Sequence, residues 1–130
     1  MIKLIGFDAD DTLWHSEVYF RTAHDAFEKI LANYLDLSNI KVHEHLLDVE
    51  RRNIKLFGYG AKGMTLSMLE TAISITNERI SAKHLHEIIG LGKEVLLHPV
   101  SLIDGIEQAV KDIAKEYQVV LITKGDLFHQ

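Results

Sequence analysis

The spacing of apolar positions changes along the chain and predicts its elements. Lys3 to Phe7 forms a continuous apolar run bounded by turn formers, the pattern of a fully buried strand in a parallel sheet. From Ser16 onward the period becomes helical, with Phe20, Ala23, Phe27, Ile30, Leu31 and Tyr34 on one face and Ser16 as N-cap. A second helix is predicted over Ile40 to Phe57, with Leu46, Val49 and Leu56 on one face and Gly58-Tyr59-Gly60 ending it. Met64, Met68, Leu69, Ala72 and Ile75 predict a third helix ending near Asn77. Leu85, Ile88, Ile89, Val95 and Leu96 predict a fourth after Ser81. Successive amphipathic helices of this kind imply a bundle.

The only proline, in His98-Pro99, marks a boundary, because proline cannot continue a helix and disfavours helix for the residue before it. Beyond it, Asp104 and Glu107 have the spacing of a capping box, and Ile106, Ala109, Val110, Ile113, Ala114 and Tyr117 line one helical face. A second apolar run, Val119 to Ile122, follows as a strand. Strand, helical insertion, helix and strand make an α/β chain with one parallel crossover. The expected division is residues 1–13 with 99–130 as the sheet-bearing part, and 14–98 as a helical insertion.

Composition narrows the class. The chain has 130 residues, 47% hydrophobic and 25% charged, within the range of a globular domain that can bury a core without staples. No cysteine means no disulfide framework and no thiolate zinc site, and fits a reducing cytoplasm. The apolar stretch before Asp8 is too short for a signal peptide or a membrane span, so a cytoplasmic location and no membrane partner are expected. A formal charge of −5 with scattered lysines offers no footprint for nucleic acid.

Two carboxylates one residue apart, Asp8 and Asp10, leave the first strand. Attack on phosphorus requires an aimed, poorly solvated carboxylate, and the departing alkoxide requires a proton from a second group nearby. Side chains at i and i+2 in a turn can share a cleft from different positions, which suits these two roles without assigning them. Close like charges also favour a cation, and Mg²⁺ takes a few oxygen ligands together with substrate phosphate. The plain alternative is that Asp10, Asp11 and Thr12 cap a helix. Thr123, after the second strand, would sit beside Asp8 if the strands are neighbours, since parallel strands end on one edge. Its hydroxyl could then hold a phosphate oxygen. Lys124 could attract phosphate, although turn lysines are usually solvated.

The remaining polar candidates have blander readings. His43-x-His45 and His84-x-His86 have a spacing that points to opposite sides of a helix, which favours a solvated surface over a metal site. Met64 and Met68 read as core. Trp14 and His15 follow the acidic loop, where packing is a more ordinary role than substrate contact.

Asp8-Ala9-Asp10-Asp11-Thr12 after an apolar strand, with Thr123-Lys124-Gly125 after another, resembles the first two motifs of the haloacid dehalogenase-like (HAD) hydrolase superfamily. That resemblance implies a Rossmann-like parallel core carrying a helical cap. It makes Asp8 the nucleophile that becomes an aspartyl phosphate and Asp10 the acid/base. It also implies Mg²⁺ on the Asp8 side chain and the Asp10 main-chain carbonyl, and phosphate held by Thr123 with close approach at Gly125. Trp14 and His15 fall where the family has a mobile flap. The dehalogenase branch resembles an Asp-x-Tyr pattern without the second carboxylate, and a departing halide needs no proton, so Asp10 favours phosphatase chemistry.

The resemblance covers the first half of such a domain. The family's third-motif lysine and fourth-motif acidic ligands correspond to no residue here, because only Asp126, Leu127, Phe128, His129 and Gln130 follow Gly125. Two parallel strands would leave edges and apolar surface uncovered. The expectation is therefore a fragment of a longer protein, or a sheet completed by a second chain. The expected function is a Mg²⁺-dependent phosphomonoester hydrolase acting on a small phosphorylated metabolite. The competing class is a catalytically incomplete module that binds phosphate or a partner, with self-association through the sheet edges.

Overall fold

The computed structural model describes residues 4–8, 17–98 and 103–122. Strand β1 (Leu4–Asp8) is followed by helices α1 (Glu17–Leu31), α2 (Val42–Phe57), α3 (Ala61–Ile75), α4 (Ala82–Leu97) and α5 (Ile106–Ala114), and then by strand β2 (Gln118–Ile122). β1 and β2 pair in parallel in a two-stranded sheet, with Leu4 opposite Gln118 and Asp8 opposite Ile122. Helix α5 packs on β2 and completes the crossover. The predicted α/β crossover carrying a helical insertion is thus the observed one.

The core lies within α1 to α4, which pack on one another as a bundle. Ala23, Phe27 and Leu31 recur every four residues on α1, so they lie along one face, and all are buried. They meet Val42, Leu46, Met64, Met68, Ala72, Ile88 and Val95 from the other helices in one apolar cluster. Burial of a large aliphatic or aromatic side chain contributes about 1.5–3 kcal/mol, so this cluster supplies most of the bundle's cohesion. Met64 and Met68 are core residues, as their spacing predicts.

Local signals set the helix ends. Gly58, with φ of 72°, closes α2, and its N–H donates to the Ile54 carbonyl at 2.8 Å. After α3, Asn77 and Glu78 both adopt positive φ, and the Glu78 N–H reaches back to the Ile73 carbonyl at 2.8 Å. This satisfies a terminal carbonyl in the manner of a Schellman ending. Ser81 caps α4 by accepting from the His84 N–H. His98 is extended, with φ of −63° and ψ of 132°, as the following proline requires. The predicted Ser16 cap lies outside the described residues.

The structure corrects several expectations. Leu56 is 79% exposed, because it lies in the last turn of α2, while Asn53 takes the buried position one turn earlier. No capping box forms at Asp104 and Glu107, because α5 starts one residue later than that motif requires, after a left-handed Gly105 without a side-chain cap. The strands are not fully buried: Leu4 is 54% and Leu121 52% exposed, since each strand has a single neighbour. His84 is half-buried rather than solvated, because Tyr34 from α1's C-terminal side reaches its Nδ1. Among the described residues, no helix is long and apolar enough to cross a membrane.

Candidate active site

The rim of the sheet is set by the parallel ladder. Asp8 is the last residue of β1, and its Cα partner is Ile122, the last residue of β2. Both strands therefore end level with each other. The backbone brings the start of the acidic segment to the edge from which Thr123 follows in sequence. The Asp8 side chain, and Asp10, Thr123, Lys124 and Gly125 as whole residues, lie outside the described residues, as do Trp14 and His15. Among the described residues, no three His, Asp or Glu side chains gather as a metal-binding group.

A second feature lies within the bundle and was missed in the sequence. A cavity of about 150 Å³ is bounded by Phe20 and His24 of α1, Ile54 and Phe57 of α2, Met64 of α3, and the turn 58–60. Its polar wall is made of two pairs. His24 Nε2 lies 3.1 Å from Glu50 Oε1, with both side chains largely shielded, and the Asn53 amide donates to Ser67 Oγ at 3.1 Å in the buried interior. Each pair satisfies polar groups that would otherwise be costly to bury. His24 and Glu50 lie on separate helices, so helical spacing could not reveal their contact. The Gly58-Tyr59-Gly60 turn, which the sequence marks as the end of α2, borders the cavity.

The chain reaches this cavity soon after leaving the sheet. The single segment 9–16 separates Asp8 from α1, and Phe20 and His24 stand on the first two turns of that helix. One carboxylate displaced from its ordinary range, Asp36, lies in the α1–α2 connection. Ser38 donates from Oγ and from its backbone N–H to Asp36, which holds the pKa of that exposed carboxyl below its ordinary value.

A haloacid dehalogenase-like family hydrolase from Xanthomonas campestris is 60% identical to this chain. The match has a TM-score of 0.92 and covers 99% of this chain and 53% of that one. A 2-haloacid dehalogenase from Pseudomonas syringae is similar at 23% identity and a TM-score of 0.53, covering 95% of this chain and 55% of that one. A predicted phosphoglycolate phosphatase from Haemophilus somnus is similar at 16% identity and a TM-score of 0.52, covering 98% and 54%. At these lower identities the likeness is one of fold. The chain thus spans about half the length of the solved structures it matches. No protein-family model and no curated protein matches it.

Proposed function

Because this chain belongs to the haloacid dehalogenase-like hydrolase superfamily, we propose that it carries the nucleophile-bearing part of a phosphomonoester hydrolase, with α1 to α4 as its cap. The observation that carries the reading is the level ending of β1 and β2, which supports a shared phosphate position for Asp8 and Thr123.

In the proposed reaction an Asp8 carboxylate oxygen attacks phosphorus while the bond from phosphorus to the departing alcohol breaks. The alkoxide takes a proton from Asp10. Water then attacks phosphorus and gives its proton to Asp10. The bond from phosphorus to Asp8 breaks, releasing inorganic phosphate and restoring the Asp8 carboxylate and the protonated Asp10 carboxyl with which the cycle began. The Thr123 hydroxyl, the backbone at Gly125 and the Lys124 ammonium would hold the phosphate oxygens. The hard oxygen donors of Asp8 and Asp10 suit Mg²⁺, which when bound would offset the charge of phosphate and nucleophile.

Asp10 favours this reaction over haloacid hydrolysis, since only an alkoxide needs the proton it would give. The substrate is proposed to be a small phosphorylated metabolite, handled in the cytoplasm. The test is Mg²⁺-dependent phosphate release from p-nitrophenyl phosphate, compared between the unaltered protein and Asp8→Asn. Turnover that Asp8→Asn leaves undiminished would overturn the reading.

One observation favours a second reading. Leu4 and Leu121 are both more than half exposed on the small sheet, as expected of a module whose apolar strands await cover. In that case the 130-residue chain binds phosphate or a partner, including a second copy through the sheet edges, without metal-dependent hydrolysis. Sedimentation together with the same phosphate-release assay separates the two readings.

A further inference from the structure

The cavity between α1, α2 and α3 has a chemical character that narrows what the cap would accept. We propose that it is a receptor for a compact, mainly apolar group, such as a single ring or a short branched chain, on the alcohol side of the substrate. This deepens the phosphomonoester reading and rests on it for the word substrate, whereas binding to the cavity stands independently.

The argument starts from size. At about 150 Å³ the space is comparable to engineered apolar cavities that admit benzene. The lining decides the chemistry. Phe20, Ile54, Phe57 and Met64 present carbon and sulfur surface, and a methionine adapts its shape to an irregular occupant. Four polar side chains of the lining are engaged in two internal pairs, His24 with Glu50 and Asn53 with Ser67. A sugar requires several hydroxyl partners, and displacing these internal pairs would leave buried groups unsatisfied. An apolar occupant leaves both pairs intact. In sequence, Phe20 and His24 lie on the first helix after the acidic segment.

Met64 offers a direct readout, since it lines the cavity while Met68, one turn on, is buried in the core and lines none of it. The full chain labelled at its methionine methyl groups would be titrated with benzyl alcohol, isobutanol, glucose and inorganic phosphate. Benzyl alcohol and isobutanol should shift the Met64 methyl signal and leave Met68 in place, while glucose and phosphate shift neither. Ile54→Trp, which fills the cavity from α2, should weaken benzyl alcohol binding about tenfold or more. An unchanged Met68 signal certifies that this variant is folded, and Phe57→Trp replaces it otherwise. A Met64 signal unmoved by both alcohols, or moved equally by glucose, overturns the proposal even where phosphate release is observed. Alcohol binding in a protein that releases no phosphate sustains the cavity assignment and removes the hydrolase reading instead.

Discussion

Asp8 stands directly across the parallel ladder from Ile122, so the two strands stop at the same level. If the residues that follow act on one phosphate, the two acidic positions should fail differently. Asp8→Asn should remove phosphate release and the trapped acyl phosphate together, since no covalent intermediate can form. Asp10→Asn should slow turnover by ~10²–10⁴-fold, the usual contribution of a positioned general acid. It should slow a p-nitrophenyl ester less than an alkyl ester, because nitrophenolate departs without a proton. Steady-state kinetics on both esters, with mass spectrometry of the quenched protein, checks this.

Helices α3 and α4 meet at Gly92, which leaves no room for a side chain. A Cβ placed there would lie 1.9 Å from Thr65 Oγ1 and 2.9 Å from Thr65 Cβ. Thr65 is poorly placed to yield, because its hydroxyl donates to the Ala61 carbonyl at 2.7 Å. Gly92→Ala should therefore destabilise the chain by about 1–3 kcal/mol, the usual range for overpacking. Adding Thr65→Ala should recover part of the loss. Urea denaturation of the single and double variants measures both.

Ser81 and Tyr34 hold the start of α4. The Ser81 hydroxyl accepts from the His84 N–H at 3.2 Å, and the Tyr34 hydroxyl accepts from the Ser81 N–H at 3.0 Å. Ser81→Ala should cost about 1 kcal/mol for the lost cap. Tyr34→Phe should cost about 0.5–1.5 kcal/mol for the lost hydrogen bond. The two share one network, so a double-mutant cycle should show non-additivity.

Acid should act at the α1–α2 connection. Ser38 Oγ at 2.7 Å and the Ser38 N–H at 3.0 Å stabilise the charged form of Asp36 and depress its folded-state value below the ordinary 3.8. The resulting stabilisation is present above that ordinary value and disappears as pH falls through the depressed one. Ser38→Ala removes the larger cause, so Asp36 should titrate closer to an ordinary aspartate. Carboxyl carbon shifts followed by NMR through acid titration test this.

The parts of the molecule legible in the sequence were those encoded locally. A continuous apolar run ending in carboxylates needs no distant partner to be recognised, and β1 and β2 formed where their runs lie. Helical periodicity likewise exposed the buried faces of α1 and α3. It could not show where a neighbouring helix stops, which is why Leu56 shares the periodicity of Val49 yet faces solvent. The Asp104 and Glu107 spacing failed because a left-handed Gly105 moved the helix start. The His24–Glu50 pair was invisible for a related reason: it depends on how separate helices dock, a property of the assembled core.

The stacked rings of Tyr19 and His98, with centroids 3.5 Å apart, join the first turn of α1 to the residue just after α4. An eighty-residue excursion thus begins and finishes at almost one point. Such a helical unit resembles a bead tied on at a single knot. Its host need not stretch to accommodate it, so a brief glycine tether in its place should leave the flanking crossover topologically unaltered, and a differently shaped bundle could be grafted at the same spot.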